Sequence, residues 1–231
     1  MPTARRRFLS WLGSASLLGV ATRPTLSPLV RADGTESTDD GHAAAVGAVA
    51  WDMSWTERVT GKYKAVFDSP DVAGGAALYR ATAWCDQYKE VYGAARADMS
   101  PVVVLRHTGF YMSMNNAFWA EYEAGKELKV RDDNGRKWAR SNPIGEASAG
   151  ASAAAVASTI PGFIAAGGIV LACGWSFGGA VSRIAKHDRI DRAPAEARAR
   201  TLLLPGVILQ PNGIFAALRA QEAGCSYILA S

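Results

Sequence analysis

The sequence predicts a three-layer α/β domain, flavodoxin-like, built on a parallel sheet of about five strands. Short runs rich in β-branched residues alternate with longer helical patterns, and the runs PVVVLR and GIVLAC are apolar on both faces, as strands covered by helices on either side must be. The polar or reactive residues Asp68, His107, Cys173 and Asn212 fall at or just after strand ends, where open parallel sheets bind their ligands.

The elements follow in order. YKAVFD (63–68) reads as the first strand, followed by a helix over 74–92, and residues 101–106 as the second strand, followed by a helix over 114–122. Residues 126–143 are charged and turn-rich around Asp-Asn-Gly and read as a surface excursion. The alanine, glycine and serine stretch 147–157 specifies no element strongly. Residues 168–173 form the third strand, 177–186 a helix, 193–200 a polar helix, 206–209 the fourth strand, 212–223 a helix and 226–229 the last strand. In that final helix Asn212 is the expected N-cap, and Ile214, Leu218 and Gln221 with Phe215 and Ala217 place an apolar stripe along one helix face. Trp51 and Trp55, four apart, read as a flap packed on the body. The domain therefore spans 51–231.

The N-terminus reads differently. Arg5-Arg6-Arg7-Phe8-Leu9 precedes a run of about 14 modestly apolar residues, short of the roughly 20 that a bilayer span needs. It is similar to a twin-arginine export signal, with Val30-Arg31-Ala32 as a cleavage site. Residues 1–32 are thus expected to be a leader, 33–50 a flexible tether, the export machinery a partner, and the mature protein periplasmic or otherwise exported, with no permanent membrane span. The leader holds five of the 25 basic residues and none of the 21 acidic ones, so removing it leaves 20 against 21. With that balance, nothing supports a nucleic-acid electrostatic footprint, and no nucleic-acid partner is expected. Nothing in the sequence points to a metal or a cofactor.

The chemistry turns on GGIVLACGWSFGG (167–179). One reading is a serine hydrolase, with Ser176 in GWSFG as an elbow nucleophile. Only 55 residues follow Ser176, and His187 is the sole histidine among them. Eleven positions along one helix is about 16 Å, far beyond the roughly 3 Å that a base must span. The other reading is Cys173 as a reactive thiol. A sulfur at a strand end, just before a helix, faces backbone N–H groups and the positive end of the helix dipole, which stabilise negative charge on it. His107, ending the neighbouring strand, is its candidate proton or electrostatic partner. Asp68, Asn115, Ser176 and Asn212 are the candidate ligand-binding residues. Cys85 and Cys225 read as packing.

The strand ends KAVFD, VVVLRH and GIVLAC, and the tail PGVILQPNGIFAALRAQEAGCSYI, resemble the DsrE/DsrF-like family of small α/β proteins. The resemblance covers residues 63–229. It implies a flavodoxin-like sheet, self-association into homo-oligomers, and for Cys173 the sulfur-carrying position of those members that have one. The expected function is an exported sulfur carrier, or a thiol-based domain for a small sulfur-containing or polar ligand. A non-catalytic oligomeric binding module is the alternative.

Overall fold

A computed structural model describes residues 51–132, 134–147 and 149–231. The leader and tether expectations lie outside the described residues.

Five parallel strands form one sheet: β1 (Tyr63–Ser69), β2 (Met99–Leu105), β3 (Ile169–Cys173), β4 (Ile208–Gln210) and β5 (Ser226–Leu229), in the order β4-β3-β2-β1-β5. All seven residues of β2 and all five of β3 are buried, which is what continuous apolar runs require of central strands. The edge strands are short, three residues in β4 and four in β5, so little unpaired backbone is left open. Among the described residues eight α-helices accompany the strands: α1 (Ala76–Tyr92), α2 (Asn116–Glu121), α3 (Ala124–Glu127), α4 (Ala153–Ala157), α5 (Ile160–Ala165), α6 (Gly174–Asp188), α7 (Arg192–Thr201) and α8 (Gly213–Glu222).

Strand order decides which face each helix covers. From β1 to β4 the chain steps in one direction, and right-handed crossovers place the connecting segments on one face. From β4 to β5 it returns across the sheet, so α8 lies on the other. Burial agrees: Phe67, Val103, Leu105, Val170 and Ala172 join a large core with residues of α1, α5, α6 and α7, whereas Val66, Val102, Val104, Ile169 and Leu171 join a smaller one with Trp55, Val59, Ala216 and Ala220. Layering is flavodoxin-like, with one thick helical layer and one thin layer.

The buried faces follow from side-chain size. In α6 Phe177, Ala180, Val181 and Ile184 repeat at helical spacing and point inward. In α8 the inward face is Gly213, Ala216, Ala217 and Ala220, while Ile214 and Leu218 are 60% and 54% exposed. This corrects the stripe expected from the sequence. Small residues let α8 lie close to the sheet in the thin layer, and the bulky ones are turned outward. Trp55 is fully buried, as the flap reading expected.

The excursion is pinned more firmly than its composition suggested. Arg131 and Trp138 form a bridge, the Arg131 guanidinium lies 3.5 Å from the Trp138 ring centre, and buried Asn142 donates to the carbonyls of Met112 and Met114 at 2.6 and 2.7 Å. Near residues 147–157 only the short helix α4 forms, capped by Ser152.

Because Trp55 is the largest side chain in the thin core, Trp55→Ala is expected to cost about 3–5 kcal/mol. The cost should register in urea denaturation as a lower midpoint at unchanged slope.

Candidate functional site

In this topology α6 and α8 leave the neighbouring strands β3 and β4 toward opposite faces, and a crevice must open between them. A cleft of about 330 Å³ lies there, lined by Arg106 and His107 after β2, Cys173 at the end of β3, Trp175 and Ser176 in the first turn of α6, and Gly213 and Ile214 in the first turn of α8.

Cys173 is itself the N-cap of α6, because the helix begins at Gly174, earlier than its sequence pattern indicated. No side chain caps that end, so the first N–H groups of a 15-residue helix are left to the cleft and to Cys173. The Cys173 side chain is 4% exposed and free of any disulfide. Gly174 is sterically required: a Cβ there would lie 2.7 Å from the Gln210 carbonyl oxygen and 2.8 Å from that of Pro211. The indole of Trp51 packs over the same glycine.

The opposite wall is set by an ion pair. Asp68, 2% exposed at the end of β1, accepts hydrogen bonds from Arg106 Nε and Nη2, both at 2.8 Å, and from the Tyr227 hydroxyl at 2.5 Å. The fork geometry is the strong, planar form of this contact. It raises the pKa of Arg106, and the same carboxylate raises that of Tyr227, since each is held in its protonated form. Three strands thus meet at one carboxylate. The Arg106 stem runs along α8, where a Cβ on Gly213 would come within 2.5 Å of Arg106 Cβ, so only glycine fits.

His107 follows directly, with φ of +46°, a left-handed conformation uncommon for residues other than glycine. It is exposed and borders the cleft. Among the described residues no carboxylate pairs with it.

The candidate residues therefore divide. Cys173, His107 and Ser176 line one cleft. Asp68 stands behind it, engaged with Arg106 and Tyr227. Asn115 caps α2, accepting from Phe118 N at 3.0 Å, and Asn212 caps α8, accepting from Phe215 N at 2.9 Å. Neither asparagine lines the cleft. Sequence reasoning did not pair Arg106 with Asp68 and did not single out Tyr227, although an arginine directly after a strand whose neighbour ends in aspartate was a readable signal.

His187 sits in the last turn of α6, where its Nδ1 lies 2.7 Å from Asp188. That is the far end of the helix from Ser176, as the rise per residue required. Ligand atoms of His187, Asp188 and Glu121 lie within 4.8 Å of one another. Arg198 already occupies this cluster, with Nη2 2.6 Å from Glu121 and Nε 3.3 Å from Asp188, so a cation stands where a metal would have to enter. Tyr122 donates to Asp188 there, its pKa pushed up to about 12, chiefly by burial and then by that bond.

The other thiols are of a different kind. Cys85 packs inside α1 and Cys225 beneath α8, and burial raises both pKa values, that of Cys225 to about 11. No family model, curated protein or solved structure matches the chain. Among the described residues no helix is long and apolar enough to cross a membrane.

Two outcomes are expected. Asp68→Asn strands a partly buried guanidinium and should cost about 3–5 kcal/mol, whereas adding Arg106→Gln should recover part of that loss in a double-mutant cycle followed by urea denaturation. Cys225 titrates higher folded than its ordinary 9.0, so its contribution is complete below pH 9 and fades as pH rises toward 11. Wild type should accordingly lose about 2–3 kcal/mol more than Cys225→Ala over that interval.

Proposed function

We propose that the domain is a thiol-based carrier, in which Cys173 takes up a sulfur atom from a small donor, as the resemblance to the DsrE/DsrF-like family suggests. The observation that carries this reading is the cleft at the divergence of β3 and β4. It brings Cys173, the uncapped start of α6, His107 and Arg106 to one opening. Any group bound there lies against the thiol.

The chemistry is a displacement at sulfur. Thiolate of Cys173 attacks the outer sulfur of an organic persulfide, R–S–SH; a new S–S bond forms at Cys173, the donor's own S–S bond breaks, and R–S⁻ departs with the electron pair and takes up a proton. No outside oxidant is needed, because the donor arrives at the oxidation level of the product. The uncapped first turn of α6 begins at Cys173, and Arg106 and His107 border the same cleft, so backbone N–H groups and basic side chains face a group bound there. Ser176, in the same turn, offers a hydroxyl to the bound group. We further propose that the protein works outside the cytoplasm and as an oligomer of identical chains, on the leader pattern and the family resemblance respectively.

Cys85 and Cys225 serve as internal controls, since burial holds both in the thiol form at neutral pH. At pH 7, brief iodoacetamide treatment of the folded protein should modify Cys173 and spare the other two. A low-molecular-weight organic persulfide should add one sulfur atom to the peptide containing Cys173, and His107→Gln should slow both reactions several-fold. A Cys173 as inert as Cys225 would remove the carrier reading and leave a non-catalytic binding module.

A further inference from the structure

The lining of the cleft is divided by chemistry in a way that thiol reactivity alone does not require. On one side stands Arg106, with two of its three guanidinium nitrogens, Nε and Nη2, held by Asp68. Its side chain is 23% exposed, so the group is fixed yet reachable. Beside it lie the N–H groups of the first α6 turn, which no side chain caps, and His107. Cleft-lining carboxylates are absent among the described residues, because Asp68 is 2% exposed and turned to its own partners.

On the other side are two large apolar groups that folding leaves in solvent. Trp175 is 70% exposed and Ile214 is 60% exposed, and both border the same opening, one from α6 and one from α8. Paired exposed apolar groups beside fixed donors mark the lining of a small-molecule site. The volume of about 330 Å³ is at the low end for such sites and suits a small metabolite rather than a peptide chain.

We propose that the cleft selects a small organic anion, a carboxylate with a short apolar body, whose charge lies between Arg106 and the first turn of α6 and whose hydrocarbon rests on Trp175 and Ile214. This rests on the thiol-carrier reading, and it names the donor's class: a low-molecular-weight persulfide bearing a carboxylate. Asp68 and Tyr227 then act as positioning residues. They keep the guanidinium in one plane and orientation without touching the ligand.

Two alkylating reagents that differ only in charge test this. Iodoacetate carries a carboxylate and iodoacetamide does not. Cys173 in the wild-type protein should react with iodoacetate faster than with iodoacetamide by roughly tenfold, the ratio that one charge-assisted hydrogen bond confers, and the iodoacetate rate should saturate with concentration. Butyrate should protect Cys173, whereas chloride at equal ionic strength should not. The paired variant Asp68→Asn/Arg106→Gln, which removes both charges together, should abolish the preference, read as the ratio of the iodoacetate to the iodoacetamide rate within that variant. Trp175→Ala should weaken butyrate protection, read as the ratio of iodoacetamide rates with and without butyrate in the same variant. Equal rates for the two reagents, or protection by chloride as good as by butyrate, would overturn the anion site while leaving the thiol reading intact. Failure of both reagents to modify Cys173 would overturn the thiol reading itself.

Discussion

Everything at the carboxyl end of the sheet depends on one buried carboxylate. Asp68 binds the guanidinium of Arg106 through two hydrogen bonds and the Tyr227 hydroxyl through a third, joining the ends of β1, β2 and β5. A buried ion pair is a poor source of net stability, because removing two charges from water costs nearly as much as their attraction returns. What it supplies here is position. A guanidinium held at two nitrogens has one orientation left, and that orientation fixes the Arg106 stem against Gly213 and the turn that carries His107.

The second constraint is topological. Four strands laid down in one direction and a fifth returned to the opposite edge force α6 and α8 onto different faces, and the gap between their first turns cannot be filled by either. Close packing sharpens it. Gly174 and Gly213 stand where a single methyl group would strike neighbouring backbone or the Arg106 side chain, so the walls are as tight as they can be while the opening remains. The thin layer repeats the theme, since alanines bring α8 down onto the sheet and leave Ile214 at the rim.

Much of this architecture was legible in advance. β5 was expected at 226–229 and occupies Ser226–Leu229, and β3 begins only one residue later than the apolar run suggested, because both runs are flanked by strong turn residues. The start of α6 was misplaced by three residues, because glycine, tryptophan and serine (Gly174–Ser176) are weak helix formers, and sheet packing rather than propensity starts the helix at Gly174. The α8 stripe was misread for a related reason. Hydrophobicity ranks isoleucine and leucine above alanine, but contact distance to the sheet ranks them the other way. Of the candidate residues, Cys173, His107 and Ser176 line one cleft, the first two from strand ends and Ser176 from the first turn of α6. Asp68 was noticed without its partners, and Asn115 and Asn212 are engaged as helix caps.

By itself the sequence determined the class of fold, the central strands, the short list of strand-end residues and the improbable position of His187 as a base for Ser176. These follow from periodicity and chain distance, which are local. Only the tertiary structure decided that Arg106 and Tyr227 converge on Asp68 and that Arg198 occupies the His187, Asp188 and Glu121 cluster, and it alone turned Ile214 and Trp175 toward one opening. Those outcomes pair residues 38, 159 and 77 positions apart. Which charge meets which across such spans is set by strand order and register, and neither is written in any one segment of the chain.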